Sequence, residues 1–251
     1  MHRSIAALSA LALALVVMPA TTAGADTTIS ASTLATDPNY CGPGGIVQFF
    51  VSGTLEVKGS ATFPGGCTVV LNDGARIKFT NVNLSLPDTL VVGGGANTRV
   101  EVTGSTISSG RFLELVPGSG SGDSGSQIHV DGSKLSGTGA TVLFASCSTR
   151  NGLVEVTNST VRGGSTFGVL IFASDHSAQF PGGGGPFCSG VSGGQVKVTG
   201  STLNATGTGI RLSSTARTEA RNDTFNPADT RFIHSDGECR SESNTPASPC
   251  S

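Results

Sequence analysis

The chain has no tryptophan and one tyrosine, and only 13% of its 251 residues are Asp, Glu, Lys or Arg. Its 15 Lys and Arg against 17 Asp and Glu leave a net charge of −2, which gives no electrostatic case for nucleic acid or anionic lipid. After residue 25 no apolar run reaches the roughly 20 residues that a membrane-spanning helix needs. The tail ESNTPASPCS lacks the hydrophobic end of a lipid-anchor signal. No 3.6-residue apolar stripe follows the first 25 residues, so almost no helix is expected. CxxC is absent and the four histidines are scattered, so neither a metal nor a cofactor is expected.

What is abundant is glycine, 36 residues, together with Val, Ser and Thr. That mixture favours short β-branched strands and tight turns. The opening MHRSIAALSALALALVVMPATTAGA has a basic start, an apolar run and small residues before Asp26. This is the order of a secretory signal peptide, residues 1–25, and it predicts a mature chain that is secreted or held at a cell surface without membrane insertion. Six cysteines in an exported chain predict disulfides, and six allow 15 connectivities. The sequential pairing is the expected one: Cys41–Cys67, Cys147–Cys188 and Cys239–Cys250.

One unit is written again and again. VEVTGSTISSG starts at Val100, IHVDGSKLSGTG at Ile128, VEVTNSTVRGG at Val154 and VKVTGSTLNATGTG at Val196. Weaker copies start at Leu55, Ile77 and Thr218, so successive starts are 22, 23, 28, 26, 42 and 22 residues apart. A period of this length with strand composition is the mark of a solenoid. Within each unit apolar residues alternate, as in Val100 and Val102, and then skip a turn to Ile107, so one face is buried. The turn position holds Asn81, Gly104, Gly132, Asn158, Gly200 or Asn222, the residue types that tolerate a left-handed backbone. A second apolar strand follows in several units, as at Phe112–Leu115 and Gly168–Phe172.

Such units bury their apolar side only by stacking on copies of themselves. The expected fold is all-β: a single-stranded parallel β-helix of about seven coils over residues 55–232. Residues 26–54 would cap its N-terminal end and the disulfide-bearing tail 233–251 its C-terminal end, covering strand edges that otherwise promote aggregation. The run GIRL–SSTA–TEARN–DTFN resembles the pectate-lyase-like right-handed β-helix superfamily, and the likeness covers roughly Leu55 to Phe232. The Gly/Ser/Thr/Val-rich copies also resemble the trypanosomatid dispersed gene family of surface proteins. The first resemblance implies a right-handed coil and a substrate groove beside the edge where loops grow.

Three units swell at that edge, at 117–126, 145–152 and 173–194, and loops in register form one patch. A glycoside hydrolase there needs two converging carboxylates, and a calcium-dependent lyase needs clustered acids beside an arginine. The outward positions of the flanking strand read Glu114, Leu143, Leu170 and Arg211, which make neither set, and no catalytic residue of the superfamily carries over. The candidates that remain are Glu114 and Arg211 with Asp175, His176 and Asp123 on the loops. Ser174-Asp175-His176 is no triad, since sequence neighbours do not reach that geometry.

Leu143 and Leu170, with Phe180 and Phe187, form either a surface for a partner or a patch that the long loop covers as a lid. The outward column Glu56, Lys78, Glu101, His129, Glu155, Lys197 and Glu219 alternates in charge, which serves register and solubility. N-glycosylation sequons stand at Asn83, Asn158, Asn204 and Asn222. The expected function is a secreted or surface-associated rod that is structural, adhesive or glycan-recognising, whose partner is a carbohydrate or another surface protein. The alternative is a polysaccharide lyase or glycoside hydrolase with its site on the three edge loops.

Overall fold

The computed structural model describes residues 22–23, 26–43, 47–118, 125–166, 168–174, 192–206, 209–226, 231–235, 237–247 and 250. The repeated VxV strand puts every second residue inward, and no single unit has anything to pack that face against. Parallel stacking supplies the missing neighbour. The strands accordingly fall into three columns that run the length of a β-solenoid of about seven turns.

The first column is a 9-stranded sheet: Thr22–Ala23, Val47–Val51, Cys67–Leu71, Leu90–Gly94, Phe112–Pro117, Thr141–Ser146, Gly168–Ala173, Ile210–Ser214 and Arg231–Ser235. The second and third columns share a 14-stranded sheet. The second contains the VxV strands, Thr27–Ser30, Thr54–Thr62, Arg76–Leu86, Arg99–Thr103, Gln127–Asp131, Leu153–Thr157, Gln195–Thr199, Arg217–Arg221 and Glu238–Glu242. The third begins as the far ends of Thr54–Thr62 and Arg76–Leu86. It continues through Thr106–Ser109, Lys134–Gly137, Thr160–Gly163, Thr202–Ala205 and Thr224–Asn226. Every pairing between these strands is parallel and joins rungs in chain order. All seven units read from the sequence supply a second-column strand, and Thr27–Ser30 and Glu238–Glu242 extend the column at its two ends.

Inside, like side chains stack in lines. Leu55, Ile77, Val100, Ile128, Val154 and Val196 occupy one register line, and all are fully buried. The corner between second and third columns turns through one residue, with φ between +49° and +61° at Asn81, Gly104, Gly132, Asn158, Gly200 and Asn222. Only Gly and Asn take that backbone cheaply, which is why the sequence alternates between them there.

The residue after each turn carries a polar ladder through the core. The backbone N–H groups of Val82, Ser105, Ser133 and Ser159 each donate to the serine hydroxyl of the next rung at 3.1 Å: Ser105, Ser133, Ser159 and Ser201 in turn. Each of those hydroxyls donates to the carbonyl two residues earlier, at 2.8 Å from Ser105 to Thr103 and 2.6 Å from Ser159 to Thr157. Buried amides at a sharp turn would otherwise go unpaired, a cost of about 1–3 kcal/mol each.

The helix Ala31–Thr36 covers the N-terminal end. Ser30 caps it by accepting the Thr33 N–H at 2.9 Å, and Ala31, Leu34 and Ala35 are buried. The Cys41–Cys67 disulfide ties this cap to the first column, and Tyr40 meets Phe49 edge-on at 5.1 Å. At the far end Cys239–Cys250 closes the tail. The third expected pair, Cys147–Cys188, includes a residue outside the described set. So does nearly all of the expected signal peptide, of which only Thr22–Ala23 is described.

Candidate functional site

The outward line of the first column is set by register. Gln48, Thr68, Val91, Glu114, Leu143, Leu170 and Arg211 stand one above another on successive rungs. The order Glu114, Leu143, Leu170, Arg211 is therefore the one read from the sequence. Its surroundings divide the face into two unlike halves.

The half toward the N-terminus is an open groove of about 470 Å³, lined by Gln48, Thr68, Val70, Val91, Glu114 and Val116 among others. Its floor is low because the rung Leu90–Gly94 carries glycine at position 93. A Cβ there would lie 2.8 Å from the Val116 carbonyl oxygen, so the rungs approach too closely for a side chain. Glu114 projects into this groove between Val91 and Leu143, half-buried and, among the described residues, without an ion-pair or hydrogen-bond partner. Burial pushes its carboxyl above the usual glutamate range.

The other half is closed. Leu143, Ala145, Leu170 and Phe172 point outward yet are almost wholly buried, forming with Cys147 a second apolar cluster separate from the interior. Of the two readings of Leu143 and Leu170, exposures of 1% and 2% fit the covered patch and leave no open area at these two side chains. Phe180 and Phe187, expected beside them, lie outside the described residues. Arg211 lies over the Phe172 ring at 5.5 Å, a cation–π contact at the end of the cluster.

Glu114 and Arg211 are thus three rungs apart, roughly 14 Å at a rung spacing of about 4.8 Å. The two buried leucines fill the interval. The structure does not bring them together. Asp123, Asp175 and His176 lie outside the described residues. Among the described residues no group of three His, Cys, Asp or Glu side chains is placed to hold a metal ion.

On the second column the charges pair with one another. Glu101 receives Arg76 at 2.8 Å and Lys78 at 3.8 Å, and Glu219 receives Arg217 at 2.7 Å. His129 sits 3.1 Å from both Glu155 and Gln127. Burial and the nearby Arg99 lower its pKa, against the opposing pull of Glu155. A comb whose charges pair internally holds register and leaves little for a ligand. Of the sequons, Asn83, Asn158 and Asn222 are exposed, while Asn204 is half-buried and accepts a hydrogen bond from Asn226 at 3.2 Å.

Sequence reasoning passed over Gln48, Thr68 and Val91 as groove residues. Gln48 lies in the segment read only as a cap, and the alternation VQFFV was the signal that it starts a strand. It also passed over the serine ladder, whose signal was a Ser directly after the turn in four units. No family model matches the chain, and no curated protein or solved structure matches it either. Among the described residues no helix is long and apolar enough to cross a membrane.

Proposed function

We propose that this protein is an exported recognition rod, a disulfide-stapled β-solenoid that binds glycan along its outer faces and carries out no reaction of its own. The observation that supports this reading best is the isolation of Glu114 from other acids among the described residues. Acid–base cleavage of a glycosidic bond needs a second carboxylate within roughly 5–10 Å of the first. The rungs beside Glu114 offer Val91 and Leu143 instead. A half-buried, unpaired carboxyl in an open groove is a hydrogen-bonding group suited to sugar hydroxyls. Two disulfides agree with an oxidising compartment, which secretion would provide.

The elevated carboxyl of Glu114 is the one feature that favours the enzymatic alternative, since a general acid must hold its proton near neutrality. One pair of measurements separates the two. The chain from Asp26 onward is screened on a glycan array and then incubated with pectin, alginate and glycosaminoglycans, with and without calcium. Binding without release of oligosaccharide is the expected result. Depolymerisation that disappears in Glu114→Gln would show the rod to be an enzyme.

A further inference from the structure

The third-column face differs from the other two in one respect. Its described outward positions from Thr106 to Asn226 are hydroxyls, amides and two cations, with no acid among them. In register, Thr106, Lys134, Thr160, Thr202 and Thr224 form one line, and Ser108, Ser136, Arg162, Asn204 and Asn226 form the other. Lys134 and Arg162 are exposed, and neither has an ion-pair or hydrogen-bond partner among the described residues. On the second column, by contrast, Arg76, Arg99, Arg217 and Arg221 are all paired with glutamates. Two described acids border this face, and each has a partner of its own. Asp88 lies 3.6 Å from Arg111, and Asp131 accepts the Thr157 hydroxyl at 2.7 Å around the corner.

Arg162 opens onto a depression of about 440 Å³ lined with Asn204, Ala205, Thr206 and Asn226. Arg162, Asn204 and Asn226 sit on consecutive rungs, roughly 4.8 Å apart. The Asn226 amide donates to the Asn204 side-chain oxygen, which leaves the Asn204 NH2 group without a partner among the described residues, on the rung next to Arg162. Thr206 adds an exposed hydroxyl. Ala205 adds a small apolar side chain to the lining.

We infer that the third face binds a sulfated polysaccharide, with Arg162, Asn204 and Thr206 around one sulfate group and Lys134 facing a second. The inference rests on the reading of the protein as a glycan-recognition rod and gives that reading a face and a ligand class. A carboxylate has two oxygens, which the arginine fork alone would satisfy. A sulfate ester presents three, matching the guanidinium, the amide and the hydroxyl that meet here. Lys134 stands one rung back and two residues across from Arg162, roughly 8 Å away on the strand lattice. An extended sulfated chain lying along the rod would meet both cations.

The test uses the chain from Asp26 onward, made in a host that adds no N-glycan so that Asn204 is bare. Dextran sulfate, unsulfated dextran and polygalacturonate are the probes, with affinity measured at low and raised salt. Dextran sulfate should bind best and weaken with salt. The K134Q/R162Q double variant should lose at least tenfold in affinity, with a melting temperature close to that of the parent. The control K78Q/K197Q removes the same two charges from the second column and should leave affinity within twofold. Equal losses in both double variants would mean undirected charge attraction, and the inference would fall. It would fall too if dextran sulfate bound K134Q/R162Q as tightly as the parent, or if polygalacturonate bound as well as dextran sulfate. Binding of unsulfated glycans alone would overturn this inference while leaving the recognition rod standing. No glycan binding at all would sink both.

Discussion

The two ends of the solenoid meet the same difficulty with opposite chemistry. Each ends in a rung with no further described strand stacked beyond it. At the N-terminal end the answer is apolar: Leu34, Ala31 and Ala35 of the helix are buried over the first coil, and Cys41–Cys67 fixes the cap. At the C-terminal end the interior itself turns polar. Thr218 and Ala220 take the inward positions that Val196 and Val198 hold one rung earlier, and Thr218 bonds to Ser214 at 2.8 Å. The serine ladder ends in Asp223, which accepts the Ser201 N–H at 2.8 Å, and in Asn244, which accepts that of Asp223 at 2.9 Å. The last strand presents Glu238, Arg240 and Glu242 on its exposed side. Two copies of that strand paired antiparallel would set Glu against Glu and Arg against Arg, which discourages end-to-end association. An end closed by apolar burial should resist changes of pH. One closed by buried polar groups should not.

Truncating the apolar cap should have the largest effect. Leu34 is 1% exposed, and Leu34→Ala removes its packing where no further coil can fill the space. A loss of roughly 2–5 kcal/mol is expected, read as a lower denaturant midpoint that is the same at pH 5 and pH 7. A cost that varied with pH would show that the N-terminal end is not the apolar closure described.

The polar end should respond to a single carboxyl. Asp223 is 1% exposed, its Oδ2 has no hydrogen-bond partner, and burial raises its pKa to about 6. Hydrogen bonds from the Ser201 and Arg221 backbone oppose that rise without cancelling it. The charged groups around it are Arg217, Glu219 and Arg221 on its own rung, Lys197 below, and Glu238, Arg240 and Glu242 above. With a folded pKa near 6 and an unfolded one near 4, the stabilisation is fully present below about pH 4 and is lost as pH rises through 6. The upper bound is about 3 kcal/mol. Asp223→Asn should remove that slope, so the variant gains on the parent between pH 4 and pH 7. His129, with its lowered pKa, works the other way, losing stability as pH falls. It is common to both proteins and cancels in the difference. Parallel melting curves for parent and variant across that window would refute the assignment.

Much of this was legible in the sequence because stacking writes the same constraint on every rung. The VxV alternation and the Gly or Asn at the corner gave the columns, since a left-handed backbone accepts few residue types. Alternation and turn residues do not fix which cysteines join, and the pairings Cys41–Cys67 and Cys239–Cys250 were expected only as sequential ones; both bonds are present. Outward direction at Leu143 and Leu170 was also readable, but alternation says which way a side chain points and nothing about what lies over it, so an open surface and a covered patch both stood until their burial decided between them. The third-face cluster was hidden by a loop. Arg162 and Asn204 face each other across one rung although they are 42 residues apart in the chain, with the insertion at 173–194 between them.

A change at mid-stack belongs to neither end and sets the smallest expected effect. Gly104 turns the corner at φ +59°, and a Cβ there would approach the Asn81 side-chain oxygen to 2.4 Å. Gly104→Ala therefore meets two penalties of different kinds: a left-handed backbone, about 1–2 kcal/mol, and a clash that Asn81 relieves by rotating away. The double variant Asn81→Gly with Gly104→Ala removes the clash and keeps the backbone cost. If the corner works as described, urea unfolding should place the double variant above Gly104→Ala and below the parent. Both should show a loss that does not change with pH, unlike the slope tied to Asp223. A double variant no better than the single one would mean that the asparagine oxygen never occupied the space over the next glycine. The alternation of Asn and Gly up that corner would then reflect backbone tolerance alone.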